Sequence, residues 1–188
     1  MDPTILYVDD QQENLDGFRF TFRKNYEIHT ALNAAQGFKI LEENEISIVI
    51  SDQRMPDILG TEFLNQVAQR FPQSIRIILT AFADFDAVVG AINKGQVYRF
   101  LTKPWNRDEM RMTIENAHEA YLLRRENLKL IQDLRDANAN LNSNNLLLQK
   151  EIEERKLIAK ELQNHRDNLE LIVAERDILG TQLIRRND

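Results

Sequence analysis

Five polar side chains close short apolar runs, and their types suit one another. Thr4-Ile-Leu-Tyr-Val8 ends in Asp9-Asp10, and Ile46 to Ile50 passes through Ser51 into Asp52. Ile75-Arg-Ile-Ile-Leu79 ends at Thr80, and Val97 to Leu101 is followed by Thr102-Lys103-Pro104. Three carboxylates brought together repel, the more so in a low dielectric. A divalent cation relieves that repulsion, and an all-oxygen donor set with room for water favours Mg2+. Lys103 adds a movable positive charge and Thr80 a hydroxyl donor. Carboxylates act as nucleophiles toward phosphorus, so this combination suits an aspartyl phosphate on one of the three, formed by positioning and charge neutralisation.

The elements that must position these residues alternate regularly. Apolar strand-like runs at 4–8, 26–30, 46–50, 75–79 and 97–101 are separated by stretches of helical spacing. The first helix follows Asp10, with Leu15, Phe18 and Phe22 on one face; others cover 34–41, 61–71 and 84–93, and a last begins near Asn106. Pro72 stops the third, and Gly95 is placed to stop the fourth. Strands alternating with helices imply βαβ crossovers and a parallel sheet covered on both faces. In such a sheet all strand ends share one edge, where ligands of open α/β folds gather. Asp9, Asp10, Asp52, Thr80 and Lys103 then meet. Taken singly, each has a plainer explanation, as a turn, a cap or a solvated loop charge.

The residues carry a resemblance. Y-V-D-D at 7–10, S-D-Q-R-M-P-x-x-x-G from Ser51 to Gly60, L-T-A at 79–81 and Y-R-F-L-T-K-P-W at 98–105 together resemble the receiver domain of two-component response regulators. The resemblance covers residues 4–120 and implies a flavodoxin-like, doubly wound α/β domain with five parallel strands. It implies that Asp52 accepts phosphate from a partner histidine kinase. Mg2+ would be held by Asp9, Asp10, Asp52 and the backbone carbonyl of Arg54, with Thr80 and Lys103 binding the phosphoryl oxygens. Thr80 and Phe100 occupy the switch positions. Many receivers carry Tyr where this chain has Phe100, and a Phe turning inward donates no hydrogen bond, so packing alone biases the switch.

Beyond residue 121 the composition changes. All nine Phe, all four Tyr, all four Pro and the single Trp lie at or before Tyr121, and one glycine, Gly180, follows it. Residues 122–188 carry 12 Lys/Arg against 12 Asp/Glu, so the net charge of −6 belongs to residues 1–121. The expected organisation is a receiver at 1–121 and a dimerising, signal-transmitting helix at 122–188. Leucine recurs each heptad at 134, 141, 148, 162, 169 and 183, with Arg155 and Arg176 in the gaps. With that column at d, Ile131, Asn138, Asn145 and Ile152 fall at a, a pattern favouring a parallel two-stranded coiled coil. Ile158, Ile172 and Leu179 suit a second register beyond Arg155. The expected homodimer therefore runs through residues 122–183.

Several function classes are excluded or disfavoured. The chain has no Cys, hence no disulfide framework and no thiolate metal site. No apolar run reaches the ~20 residues of a membrane helix, and the strand at Thr4 leaves no room for a signal peptide, so the expected location is the cytoplasm. A zipper that binds DNA needs a basic arm, which the balanced charge lacks. His165 lacks the flanking residues of a kinase phosphoacceptor, and no enzymatic activity beyond the domain's own phosphotransfer and dephosphorylation has residues to support it. The output is expected either in a domain missing from this chain or in a partner recruited by the coil. A constitutive dimer scaffold with an unattached receiver is the alternative.

Overall fold

A computed structural model describes residues 2–81 and 97–186, with side chains to residue 173. Its elements in chain order are β1 Thr4–Val8, α1 Gln12–Phe22, β2 Glu27–Ala31, α2 Ala34–Glu43, β3 Ile48–Asp52, α3 Gly60–Arg70, β4 Ile75–Thr80, β5 Arg99–Thr102 and α4 Arg107–Arg186. The helix expected at 84–93 lies outside the described residues. All strand pairs are parallel, in the order β2-β1-β3-β4-β5. The chain divides into two compact units, Met1–Leu130 and Ile131–Asp188.

Strand periodicity explains how one sheet buries two faces. On β1, Ile5 and Tyr7 point to one side with Leu15, Phe18 and Phe22 of α1 and Met110, Ile114 and Ala117 of α4. Leu6 and Val8 point to the other, against Ala34 and Leu41 of α2 and Phe63, Leu64 and Val67 of α3. β3 and β4 are buried along their whole lengths, as expected of central strands in a doubly wound sheet. β3 lies two residues further along than the sequence reading placed it. Ser47 instead closes the opposite sheet end, its N–H on the Thr4 carbonyl and its own carbonyl taking the Ile75 N–H. Asp52 is thus the last residue of the strand, not the first of the loop.

The helices start and stop for local reasons. The Asn33 side chain accepts the Gln36 N–H ahead of α2, and Asn106 accepts the N–H groups of Asp108 and Glu109 ahead of α4. α3 closes at Phe71, before Pro72. Near its start α4 is tied into the first unit: the Tyr121 hydroxyl donates to Glu45 at 2.8 Å. Arg124 donates to the Pro72 carbonyl at 2.9 Å, and Arg125 pairs with Glu45 at 2.8 Å. These bonds hold this part of α4 within the first unit, past the composition break at Tyr121. In the second unit, Ile131–Asp188, the heptad leucines stand open: Leu134, Leu141, Leu148, Leu162 and Leu169 are all more than half exposed in the single chain.

Candidate functional site

The parallel register brings the expected residues to one edge. β1 ends beside β3, and Asp52 pairs with Leu79, one residue short of Thr80, which itself pairs with Thr102. Asp9 and Asp52 converge on one cation. Lys103 Nζ lies 2.7 Å from Asp9 Oδ2 and is in direct ionic contact with Asp52 Oδ1. The Lys103 N–H donates to the Thr80 carbonyl at 2.9 Å, which aims its stem back over the strand ends. Asp10 sits exposed at the same strand end, while Thr80 is buried and its hydroxyl donates to the Ala81 carbonyl at 3.0 Å.

Asp9 is the most constrained member. It is fully buried, and both of its oxygens are occupied. Oδ1 accepts the Gln11 N–H at 3.0 Å and Asn14 Nδ2 at 2.9 Å; Oδ2 accepts the Tyr7 hydroxyl at 2.5 Å and Lys103. Burial pushes the carboxyl up, but the bonds from Lys103, Tyr7, Asn14 and Gln11 outweigh it and hold Asp9 below the ordinary carboxylate value. Burial pushes Lys103 down, and its contacts with Asp52 and Asp9 more than reverse that, so the ammonium is favoured. The Tyr7 phenol is raised far above its ordinary value by burial and then by the neighbouring Asp9, so it stays a hydrogen-bond donor.

The loop after Asp52 is clamped so that its carboxylate stays at the edge. The Arg54 N–H donates to Asp52 Oδ2 at 2.9 Å. The Gln53 N–H meets the Leu79 carbonyl, the Gln53 carbonyl accepts the Gly60 N–H, and the Gln53 side chain accepts the Thr61 N–H. Gly60 is required by this close approach: a Cβ there would lie 2.0 Å from the Asp52 carbonyl oxygen. Trp105, expected as a packing anchor, sits with its ring 5.9 Å from those of Phe18 and Phe22. Phe100 packs, partly buried, against the core on the α2–α3 face.

Family comparison agrees with this geometry. The response regulator receiver domain profile matches residues 5–115. The chain belongs to that family. It is 31% identical over 132 residues to the hydrogenase transcriptional regulatory protein HoxA of Cupriavidus necator, covering 70% of this chain and 27% of HoxA. It is 36% identical over 89 residues to the DNA-binding transcriptional regulator NtrC of Escherichia coli, covering 47% of this chain and 19% of NtrC. Among solved structures, the signal receiver domain of an HD domain-containing protein from Pseudomonas fluorescens Pf-5 is 33% identical with a TM-score of 0.63, covering 66% of this chain and 93% of that one. A receiver domain protein from Clostridium thermocellum is 30% identical with a TM-score of 0.61, covering 64% and 98%. The chain spans about a quarter of the length of curated relatives such as HoxA.

As a response regulator, the chain has a phosphoryl-acceptor role in two-component signalling, which the receiver family shares. Among the described residues no three acidic or imidazole side chains are drawn together as a metal cage. Asp9 and Asp52 instead face each other across the Lys103 ammonium. That arrangement fits a small hard cation in two respects: the donors are oxygens only, and the two carboxylates are already organised about a positive charge. Sequence reasoning missed Tyr7, Asn14 and Gln53. Tyr7 carried a usable signal, since a hydroxyl two residues before Asp9 on a strand must share its face.

Proposed function

We propose that Asp52 is the phosphoryl acceptor of this receiver, and that Asp9, Asp10, Asp52 and the Arg54 carbonyl hold Mg2+ while it is loaded. The observation that carries this reading is the Asp9–Lys103–Asp52 cluster at the rim of a parallel sheet. One oxygen of Asp52 attacks the phosphorus of a kinase phosphohistidine. The P–N bond breaks as a P–O bond forms, and the imidazole, already protonated on its other ring nitrogen, leaves neutral. Bound Mg2+ supplies charge neutralisation on the phosphoryl oxygens. The chain's own residues do the rest. Lys103 moves from carboxylate to phosphoryl oxygen, Thr80 offers its hydroxyl, and the Arg54 N–H holds Asp52 in place.

The same reading makes residues 122–183 a parallel coiled-coil homodimer. Its support is the exposed heptad column, since a lone helix would leave those leucines in water. Phosphorylation at Asp52, with Thr80 and Phe100 as switch residues, alters the receiver, and dimer geometry or register carries the change onward. Relatives and structural neighbours carry differing descriptions, among them transcriptional regulators, an HD domain-containing protein and an adenylate cyclase. We therefore assign no output to this chain. The test is treatment with acetyl phosphate and Mg2+ followed by intact mass. Wild type gains one phosphate and Asp52→Asn none; equal labelling of the Asn variant overturns the site.

A further inference from the structure

The amino end of α3 is capped from outside the helix. The leading N–H groups of a helix have no partner within it, and a polar side chain just ahead of the helix commonly accepts one. Leu59 stands at that place before α3, and it makes no such bond. The Glu62 N–H turns to the Leu59 carbonyl at 2.9 Å, which leaves Gly60 and Thr61. Both lean on one residue. The Gly60 N–H donates to the Gln53 carbonyl at 2.9 Å, and the Thr61 N–H to Gln53 Oε1 at 3.1 Å. Gln53 Nε2 lies 3.5 Å from Thr61 Oγ1, so the oxygen is the stronger half of the contact. Gln53 is buried, and its own N–H is held by the Leu79 carbonyl of β4. It directly follows Asp52. The cap thus fastens α3 to the peptide that carries Asp52, with Gly60 pressed against the Asp52 carbonyl.

We propose that Gln53 is a positioning residue for phosphoryl acceptance: by capping α3, its side-chain oxygen locks the Asp52 peptide in the orientation from which the carboxylate attacks. This rests on the reading of Asp52 as the acceptor. Gln53 acts through the amino end of α3 and not on the phosphoryl group. Without the side-chain oxygen the Thr61 N–H loses its partner, the first turn of α3 opens, and Gly60 no longer braces the Asp52 carbonyl. Attack on phosphorus is sensitive to that freedom, because a displacement of about 1 Å in a reacting group costs about a hundredfold in rate.

The test measures labelling rates with acetyl phosphate and Mg2+ in the full chain, well below the thermal midpoint, with the fold of each variant checked by circular dichroism. A loss of global stability alone leaves the rate of the folded protein unchanged there. Gln53→Met keeps the bulk and removes the acceptor, while Gln53→Asn keeps an amide that stops one methylene short of Thr61. Both are expected to label about tenfold more slowly than wild type, and to exchange the Thr61 amide hydrogen faster. Gln53→Glu restores the acceptor, with a charge that a helix amino end favours. It is expected to recover most of the rate and of the amide protection. A wild-type rate in either Gln53→Met or Gln53→Asn overturns the proposal, as does a Gln53→Glu rate no faster than theirs. Equal labelling of Asp52→Asn and wild type overturns the acceptor reading itself.

Discussion

At the scale of single residues, the buried Asp9–Lys103 pair makes stability depend on pH at both extremes. Asp9 is held below its ordinary value of 3.8. A depressed acid stabilises the fold above its unfolded pKa and loses that contribution as pH falls through the folded one. The urea midpoint should therefore drop as pH is lowered from about 3.8, and Asp9→Asn should flatten that acid limb. Lys103 is raised from its ordinary value of 10.5. Its contribution is complete below that value and lost as pH rises through the higher folded pKa, so Lys103→Met should flatten the alkaline limb. Gly60 tests a different constraint. Gly60→Ala places a methyl against the Asp52 carbonyl, and backbone must shift to admit it. We expect a loss of about 1–3 kcal/mol in urea denaturation, together with slower phosphorylation by acetyl phosphate, because the displaced residue is Asp52.

At the scale of elements, the strand ends were legible because β-branched runs terminate visibly and parallel topology forces their ends together. Thr80 and Lys103 therefore lie at the same rim as Asp9 and Asp52. The strand bounds shifted by one or two residues where backbone pairing with a neighbour, such as Ser47 with Thr4, sets the start and no side-chain pattern reports it. Hydrogen-bond partners were harder to read. Asn14 and Gln53 look like ordinary polar surface, and only the fold shows that one reaches Asp9 and the other closes the β3–α3 loop. The composition break at Tyr121 marks the last aromatic anchor of the first unit, and just past it Arg124 and Arg125 still bond back to that unit. Tyr121 is only 5% exposed. Tyr121→Ala should cost about 3–5 kcal/mol by urea denaturation. The half-exposed Arg125–Glu45 pair should contribute less than about 1 kcal/mol, as exposed pairs do.

At the scale of the whole molecule, the proposed dimer would join an acidic rim to a leucine column on a long helix. In the proposed coiled coil, Asn138 and Asn145 at a positions would fix strand number at a cost in stability, so replacing both with Ile should raise the thermal midpoint while admitting assemblies larger than dimers, read by sedimentation. The most direct test of the central claim uses the absence of native Cys. Ser143→Cys places a single spin label on the outer face of the coil, and interchain distances are measured by pulsed electron resonance, with and without Mg2+ and beryllofluoride. The expected result is an interchain distance within the proposed dimer that changes with the phosphoryl mimic in the wild-type receiver and stays fixed in Asp52→Asn. An identical distribution in both states, or no interchain signal in either, would contradict it.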